Sequence, residues 1–239
     1  MLPLHDDNPT RTVPVVTVIL IALCALVFLW QNSLPADQQQ EVIYSLGVIP
    51  ASLLQGRPLA PELVMVPPGL TLITSMFMHG GWMHLIGNLL YLWIFGNNVE
   101  DAMGHGRFVL FYLVCGLVAA LAQSLPDPSS TIPVVGASGA ISGVLGAYLL
   151  LFPHARVLVL VPIGFLLTTI RMPAVLVLGL WFLLQLVSAA VQSGEGGGVA
   201  FGAHVGGFVA GMALILLFKR RDVRLFASAR QSEEWRWRR

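Results

Sequence analysis

Six polar side chains stand out because each lies in an apolar stretch: His84, Asn88, Ser138, Ser142, Gln185 and His204. His84 and Asn88 are four residues apart, so on a helix they stack on one face. Two hydrogen-bonding groups aimed at one point can hold a developing charge, and the same pair can serve as glue between membrane helices. Ser138 lies in Gly136-Ala137-Ser138-Gly139, just after the turn Ser129-Ser130-Thr131-Ile132-Pro133. It therefore opens a helix, where unpaired backbone N–H groups and a partial positive charge are ready to bind an oxyanion. A serine in that place can equally be a simple helix cap. His204 lies in Gly202-Ala203-His204-Val205-Gly206-Gly207 and shares a helix face with Gly207 and Gly211. Gly139, Gly143 and Gly146 make a matching stripe after Ser138. Small residues let helix backbones approach closely in lipid. If these two stripes meet, Ser138 Oγ comes within reach of His204, which can then act as a general base. The other reading of the stripes is a structural glycine zipper holding a buried neutral histidine.

The elements that must position these groups follow from composition. The chain has 239 residues, 56% of them hydrophobic and only 10% charged, with a mean hydropathy of +0.79. Soluble domains carry about 25% charged residues, so lipid must be the main solvent here. A hydrocarbon core about 30 Å thick needs about 20 apolar residues of helix. Six stretches qualify: Val13–Trp30, Trp82–Val99 ended by Glu100 and Asp101, Phe108–Leu125, Ala137–Phe152, Pro173–Val191 and Phe201–Phe218. The segment from Asn32 to Thr71 holds Pro50, Pro58, Pro61, Pro67 and Pro68. No continuous helix tolerates so many prolines. It is expected to fold as a loop at the membrane surface with short helices such as Gln38–Leu46. Val157–Thr169 is apolar but short and broken by Pro162 and Gly164; it is expected as a return of the fourth helix or a re-entrant segment.

Of the 13 basic residues, all but Arg57 fall on one side if six spans alternate. The positive-inside rule then places both termini in the cytoplasm. Residues 1–12 are the expected N-terminal cytoplasmic segment, 13–219 the membrane domain and 220–239 a basic tail. The tail ends in Trp235-Arg236-Trp237-Arg238-Arg239, a composition suited to anionic headgroups. The net charge of +1 gives no reason to expect a nucleic-acid partner. Cys24 and Cys115 lie inside apolar runs and read as small core residues. Asp6 and Asp7 stand where a signal peptide would be basic, so no cleaved leader is expected. The histidines make no ligand cluster; His79 and His84 lack the glutamate of an HExxH metal site, and no metal, nucleotide or other cofactor is expected.

Three blocks, in order and on the right helices, resemble the rhomboid intramembrane proteases. They are Met78-His79-Gly80-Gly81-Trp82-Met83-His84 with Asn88, Gly136-Ala137-Ser138-Gly139, and Ala203-His204-Val205-Gly206-Gly207. The resemblance runs from about Leu72 to Lys219. It implies an all-α membrane protein: a six-helix bundle with a membrane-embedded first loop and a cavity facing the non-cytoplasmic side. It implies a Ser138/His204 dyad with no acidic third member. The oxyanion and substrate-binding residues map to His84, Asn88, Gly136, Ala137 and the Ser138 N–H, with Gly139, Gly143, Gly207 and Gly211 packing the helices at the site. Val191–Phe201, with Gly196-Gly197-Gly198, looks like the family's flexible cap. Two departures stand out. Leu70-Thr71 occupies the place of a Trp-Arg pair that anchors the first loop in many members. Ser142 replaces a tyrosine that in some members stacks on the histidine.

The function implied is serine endopeptidase cleavage of transmembrane segments, in single-span or other membrane proteins, near the outer face of a bacterial-type plasma (inner) membrane. Other readings are a non-catalytic relative that binds membrane clients, and a small transporter or channel lined by the same polar groups. No inverted repeat or ring of like charges favours the last.

Overall fold

A computed structural model describes residues 2–164, 166–191 and 198–227. Among these the chain is mostly helical: α1 (Val15–Ser33), α2 (Ala36–Leu46), α3 (Pro50–Gln55), α4 (Pro68–Thr74), α5 (Trp82–Met103), α6 (His105–Ser124), α7 (Ser138–Leu151), α8 (Ala174–Val191) and α9 (Phe201–Phe218). Four of them, α1, α6, α8 and α9, are long and apolar enough to cross a membrane. Cys24 and Cys115 are fully buried in α1 and α6.

Two expectations are corrected. The second apolar stretch does not stop at Glu100 and Asp101, because α5 runs on to Met103. Glu100 is fully buried. Its carboxylate accepts from Val16 N at 2.9 Å, Thr17 N at 2.8 Å and Thr17 Oγ1 at 2.6 Å, and contacts His105 Nδ1 at 2.6 Å. An acid that ends an apolar run can thus be a buried cap: Glu100 satisfies the open N–H groups at the start of α1, whose own N-cap is Pro14.

The chain is also mostly helical rather than all-α, and the 157–169 segment is not a continuation of the fourth helix. It forms an antiparallel hairpin of β2 (Arg156–Ile163) and β3 (Leu166–Pro173), to which β1 (Leu2–Asp6) adds antiparallel in the order β1-β2-β3. The reason is local. The branched run Val157, Val159, Val161 alternates with leucines, which suits a strand, and Gly164 at φ +60° supplies the left-handed turn residue. Val157 and Val159 are fully buried, while Leu166 and Leu167 on β3 are exposed.

The helix that carries Ser138 is central. From Gly139 to Tyr148 every residue of α7 is buried, whereas α8 buries only Ala174, Val177 and Leu178. The outward faces of α1, α8 and α9 expose Leu26, Leu29, Leu183, Leu184, Val187 and Leu217, an apolar surface suited to lipid. The far end of α7 is fastened to the sheet, where the Tyr148 hydroxyl donates to Asp6 Oδ2 at 2.6 Å. Asp6 is almost fully buried, and that desolvation pushes its carboxyl up to about 6 despite the Tyr148 bond.

The proline-rich segment forms α2 to α4 and two short 3-10 turns, Pro61–Leu63 and Ser75–Phe77. It is tied to the turn before α7. Val48 and Val134 exchange both backbone hydrogen bonds, Ala51 N donates to Ser130 O, and Gly136 N donates to Ser75 O. Thr74 Oγ1 donates to Leu46 O at 2.7 Å. These links hold the loop together and against the turn before Ser138. Residues 192–197, with Gly196 and Gly197 of the expected cap, and the tail from 228 onward lie outside the described residues.

Candidate active site

Ser138 is the first residue of α7, and the N–H groups at this end have no carbonyl a turn earlier within the helix. The approach to it requires glycine. Gly136 has φ +125°, a conformation that other residues rarely adopt. A Cβ there would lie 2.6 Å from His84 Nε2 and 3.6 Å from Ser138 Oγ. The ring of His84 and the hydroxyl of Ser138 therefore stand over the same patch of backbone. Ala137 is fully buried beneath them.

α7 and α9 meet backbone to backbone along the two glycine stripes. A Cβ on Gly207 would meet the Gly139 carbonyl, and one on Gly211 would meet that of Gly143. A Cβ on Gly139 would lie 2.6 Å from Ala119 Cβ, and one on Gly143 would strike Cys115, so α6 closes the third side. Any larger side chain at these four positions would push the helices apart and carry His204 away from Ser138.

Five of the six polar residues singled out in the sequence are brought together. Ser138, His204, His84 and Asn88 all line one cavity of about 1030 Å³, shared with Ser142, Gln123, Tyr91 and Trp181. His84 and Asn88 face it from successive turns of α5. Gly80 N donates to His84 Nδ1 at 3.4 Å, which leaves Nε2 as the N–H that points toward Gly136. Asn88 is buried, and its Nδ2 has no hydrogen-bond partner among the described residues. His84 Nε2–H is thus a donor at the turn before Ser138, and Asn88 Nδ2 is a buried donor at the same cavity.

His204 has its own setting. Its Nδ1 lies 2.7 Å from Gln185 Oε1 on α8. Trp181, one turn earlier on α8, tilts against the imidazole with ring centroids 5.8 Å apart, and Phe201 meets it edge-on at 6.3 Å. Ser142 turns its hydroxyl back onto the Ser138 carbonyl at 2.6 Å.

One supporting pair is not apparent from the sequence. Gln31 is buried near the end of α1; its Nε2 donates to His79 O at 2.8 Å and its Oε1 accepts from His79 N at 3.4 Å. This clamp fixes the turn that begins α5, and His79 in turn packs edge-on against His84 at 5.1 Å. Gln31 stands just past the apolar run Val13–Trp30, where it has the look of the polar end of a span.

The sequence as a whole also matches known proteins. Residues 69–221 match the family model described as the Rhomboid domain. The chain is 34% identical over 202 residues to the rhomboid protease GluP of Bacillus subtilis, covering 84% of this chain and 35% of that protein. It is 33% identical over 144 residues to the putative rhomboid protease YdcA of the same organism, covering 58% of this chain and 63% of YdcA. It is 35% identical over 96 residues to the mitochondrial Rhomboid protein 1 of Saccharomyces cerevisiae, covering 38% of this chain and 28% of the relative. The chain thus spans about a third of the length of GluP and about three-fifths of YdcA.

Proposed function

This chain belongs to the rhomboid family, and on that premise we propose that it is an intramembrane serine endopeptidase that cuts transmembrane segments of other proteins. The observation that carries the reading is the single cavity into which Ser138, His204, His84 and Asn88 all project.

Ser138 Oγ attacks the scissile carbonyl, and His204 Nε2 takes the hydroxyl proton. The carbonyl oxygen becomes an oxyanion, which the Ser138 N–H, His84 Nε2–H and Asn88 Nδ2–H stabilise from fixed positions. As the tetrahedral species collapses, the imidazolium delivers its proton to the leaving amine and an acyl-serine remains. Water, activated by the same histidine, then releases the new carboxylate. Gly136, Ala137 and the Gly139/Gly143–Gly207/Gly211 contacts set the spacing of these parts. The substrate must be unwound at the cut, because the carbonyls of an intact helix are engaged and shielded. Helix-breaking or small residues near the cleavage point meet that need.

In this reading α5 and α7 join α1, α6, α8 and α9 as six spans, with the α2–α4 segment embedded as the first loop. α7 has only 14 residues, about 21 Å of helix, so Ser138 lies below the membrane surface in a recess that water can reach. Arg11, Arg156, Arg171 and Arg220 gather near the sheet and the ends of α5 and α9, through Arg11 N to Asp101, Asp7 N to Arg156 O, Arg171 to Asp7 and Arg220 to Asp101. Arg57 lies in the loop tied to the Ser138 end. The positive-inside rule then puts residues 1–12, the hairpin and 220–239 in the cytoplasm and the site toward the outer face of a plasma (inner) membrane.

A fluorophosphonate probe tests the nucleophile. Mass mapping is expected to find the adduct on Ser138, with labelling lost in His204→Ala. Labelling at another serine, or undiminished labelling in His204→Ala, contradicts the assignment.

A further inference from the structure

We propose that Gln185 is a positioning residue for His204: its side-chain oxygen holds the imidazole in the tautomer protonated at Nδ1, leaving Nε2 free to take the proton of Ser138. The inference rests on the protease reading above and extends it to a third side chain.

The geometry carries it. Gln185 Oε1 lies 2.7 Å from His204 Nδ1, within the range of a good hydrogen bond. An amide oxygen can only accept, so Nδ1 must carry the hydrogen and Nε2 must be the bare nitrogen. The bond comes from α8, across the helix boundary from α9, so it fixes the direction of the ring as well as its proton. Trp181 lies one turn before Gln185 on the same helix and covers the ring at 5.8 Å. Ser142, the cavity hydroxyl nearest in sequence to Ser138, bonds to the Ser138 carbonyl instead of the ring. Gln185 therefore supplies the orienting contact. Being neutral, it sets tautomer and direction without holding the imidazole in its charged form, which suits a base that must begin neutral. The titratable or charged side chains that line this cavity, among the described residues, are His84 and Tyr91 from α5 and Asp127 from the loop after α6. None of them changes in the variants below.

The test compares wild type, Gln185→Leu, Gln185→Glu and Ser138→Ala in detergent, measuring kcat, KM and the pH profile of kcat on a single-span substrate. Gln185→Leu is expected to lower kcat about tenfold or more, with KM little changed, because Nδ1 loses its acceptor. Gln185→Glu restores an acceptor and is expected to recover most of kcat. Its carboxylate favours the imidazolium, so activity that needs neutral His204 is lost at a higher pH on the acid side. Wild-type kcat in Gln185→Leu overturns the proposal. So does an acid limb in Gln185→Glu that matches wild type, since a merely structural glutamine would leave it unmoved. Cleavage that survives Ser138→Ala is a failure of the protease reading instead. The tautomer is read without turnover by ¹⁵N NMR of labelled histidine, with His204 assigned by its absence in His204→Ala. Protonation at Nδ1 in wild type, lost in Gln185→Leu, supports the proposal, and protonation at Nε2 in wild type overturns it.

Discussion

His84 stands directly over Gly136: a Cβ on that glycine would come within 2.6 Å of the imidazole Nε2. The contact links the start of the α5 block to the turn that presents Ser138, and it leaves no room for even a methyl group. Gly136→Ala is therefore expected to displace the His84 ring and to strain a backbone held at φ +125°. A shift of about 1 Å in such a group costs about 100-fold in rate. Cleavage kinetics and thermal unfolding of the variant in detergent check this. Near-normal cleavage would show that His84 need not occupy that position.

His84 and Asn88 reach the cavity as donors from one face of α5. His84→Ala and Asn88→Ala are each expected to lower kcat by about 10²–10³, the usual cost of one oxyanion donor. Because the donors act on the tetrahedral species, fluorophosphonate labelling of both variants should slow alongside peptide cleavage. A change confined to KM would instead mark them as contacts for the ground-state substrate.

Gly207 has the Gly139 carbonyl where its Cβ would be, and Gly139 adjoins Ser138. Gly207→Val must part α7 and α9 or distort both. It is expected to destabilise the fold by a few kcal/mol, about the scale of overpacking in a tight core, and to abolish cleavage. Gly179→Ala on α8 is the control, since a Cβ there meets nothing within 4 Å. Unfolding curves that match for Gly207→Val and wild type would contradict the close packing of these helices.

Asp6 gives a pH dependence with a definite sign. Its folded carboxyl is raised to about 6 by burial, above the unfolded value of about 3.9. The folded state therefore binds the proton more tightly, and stability falls as pH rises from about 4 through 6. Asp6→Asn keeps an acceptor for the Tyr148 hydroxyl and removes the charge. It is expected to raise the unfolding temperature above wild type at pH 8 and to make little difference at pH 4. An equal effect at both values would mean that Asp6 does not titrate as its burial implies.

Much of the site is legible in the sequence because its residues violate their surroundings. Polar groups in apolar helices are costly, which marks out His84, Asn88, Ser138 and His204, and glycine periodicity tells which helices meet. Less is legible where a residue works across distance. Glu100 has the look of a span's end, since nothing local reveals that it caps α1, far away in sequence. Gln31 resembles a polar terminus for the same reason. Gln185 is visible as a polar residue in a span, but its bond to His204 depends on how α8 turns against α9. The β2–β3 hairpin is hidden because a short apolar run of alternating valine and leucine does not distinguish strand from helix until a partner strand is known. One such partner is β1, which comes from the beginning of the chain.

The central claim is that Ser138 and His204 together cut peptide bonds inside the bilayer. Its most direct test is cleavage of a single-span substrate with a small residue at the cut, in liposomes, by wild type, Ser138→Ala and His204→Ala. The expected result is product from wild type alone, with a mass that places the cut within or at the edge of the substrate's span. Product from Ser138→Ala at the wild-type rate, or none from wild type on several such substrates, would contradict it.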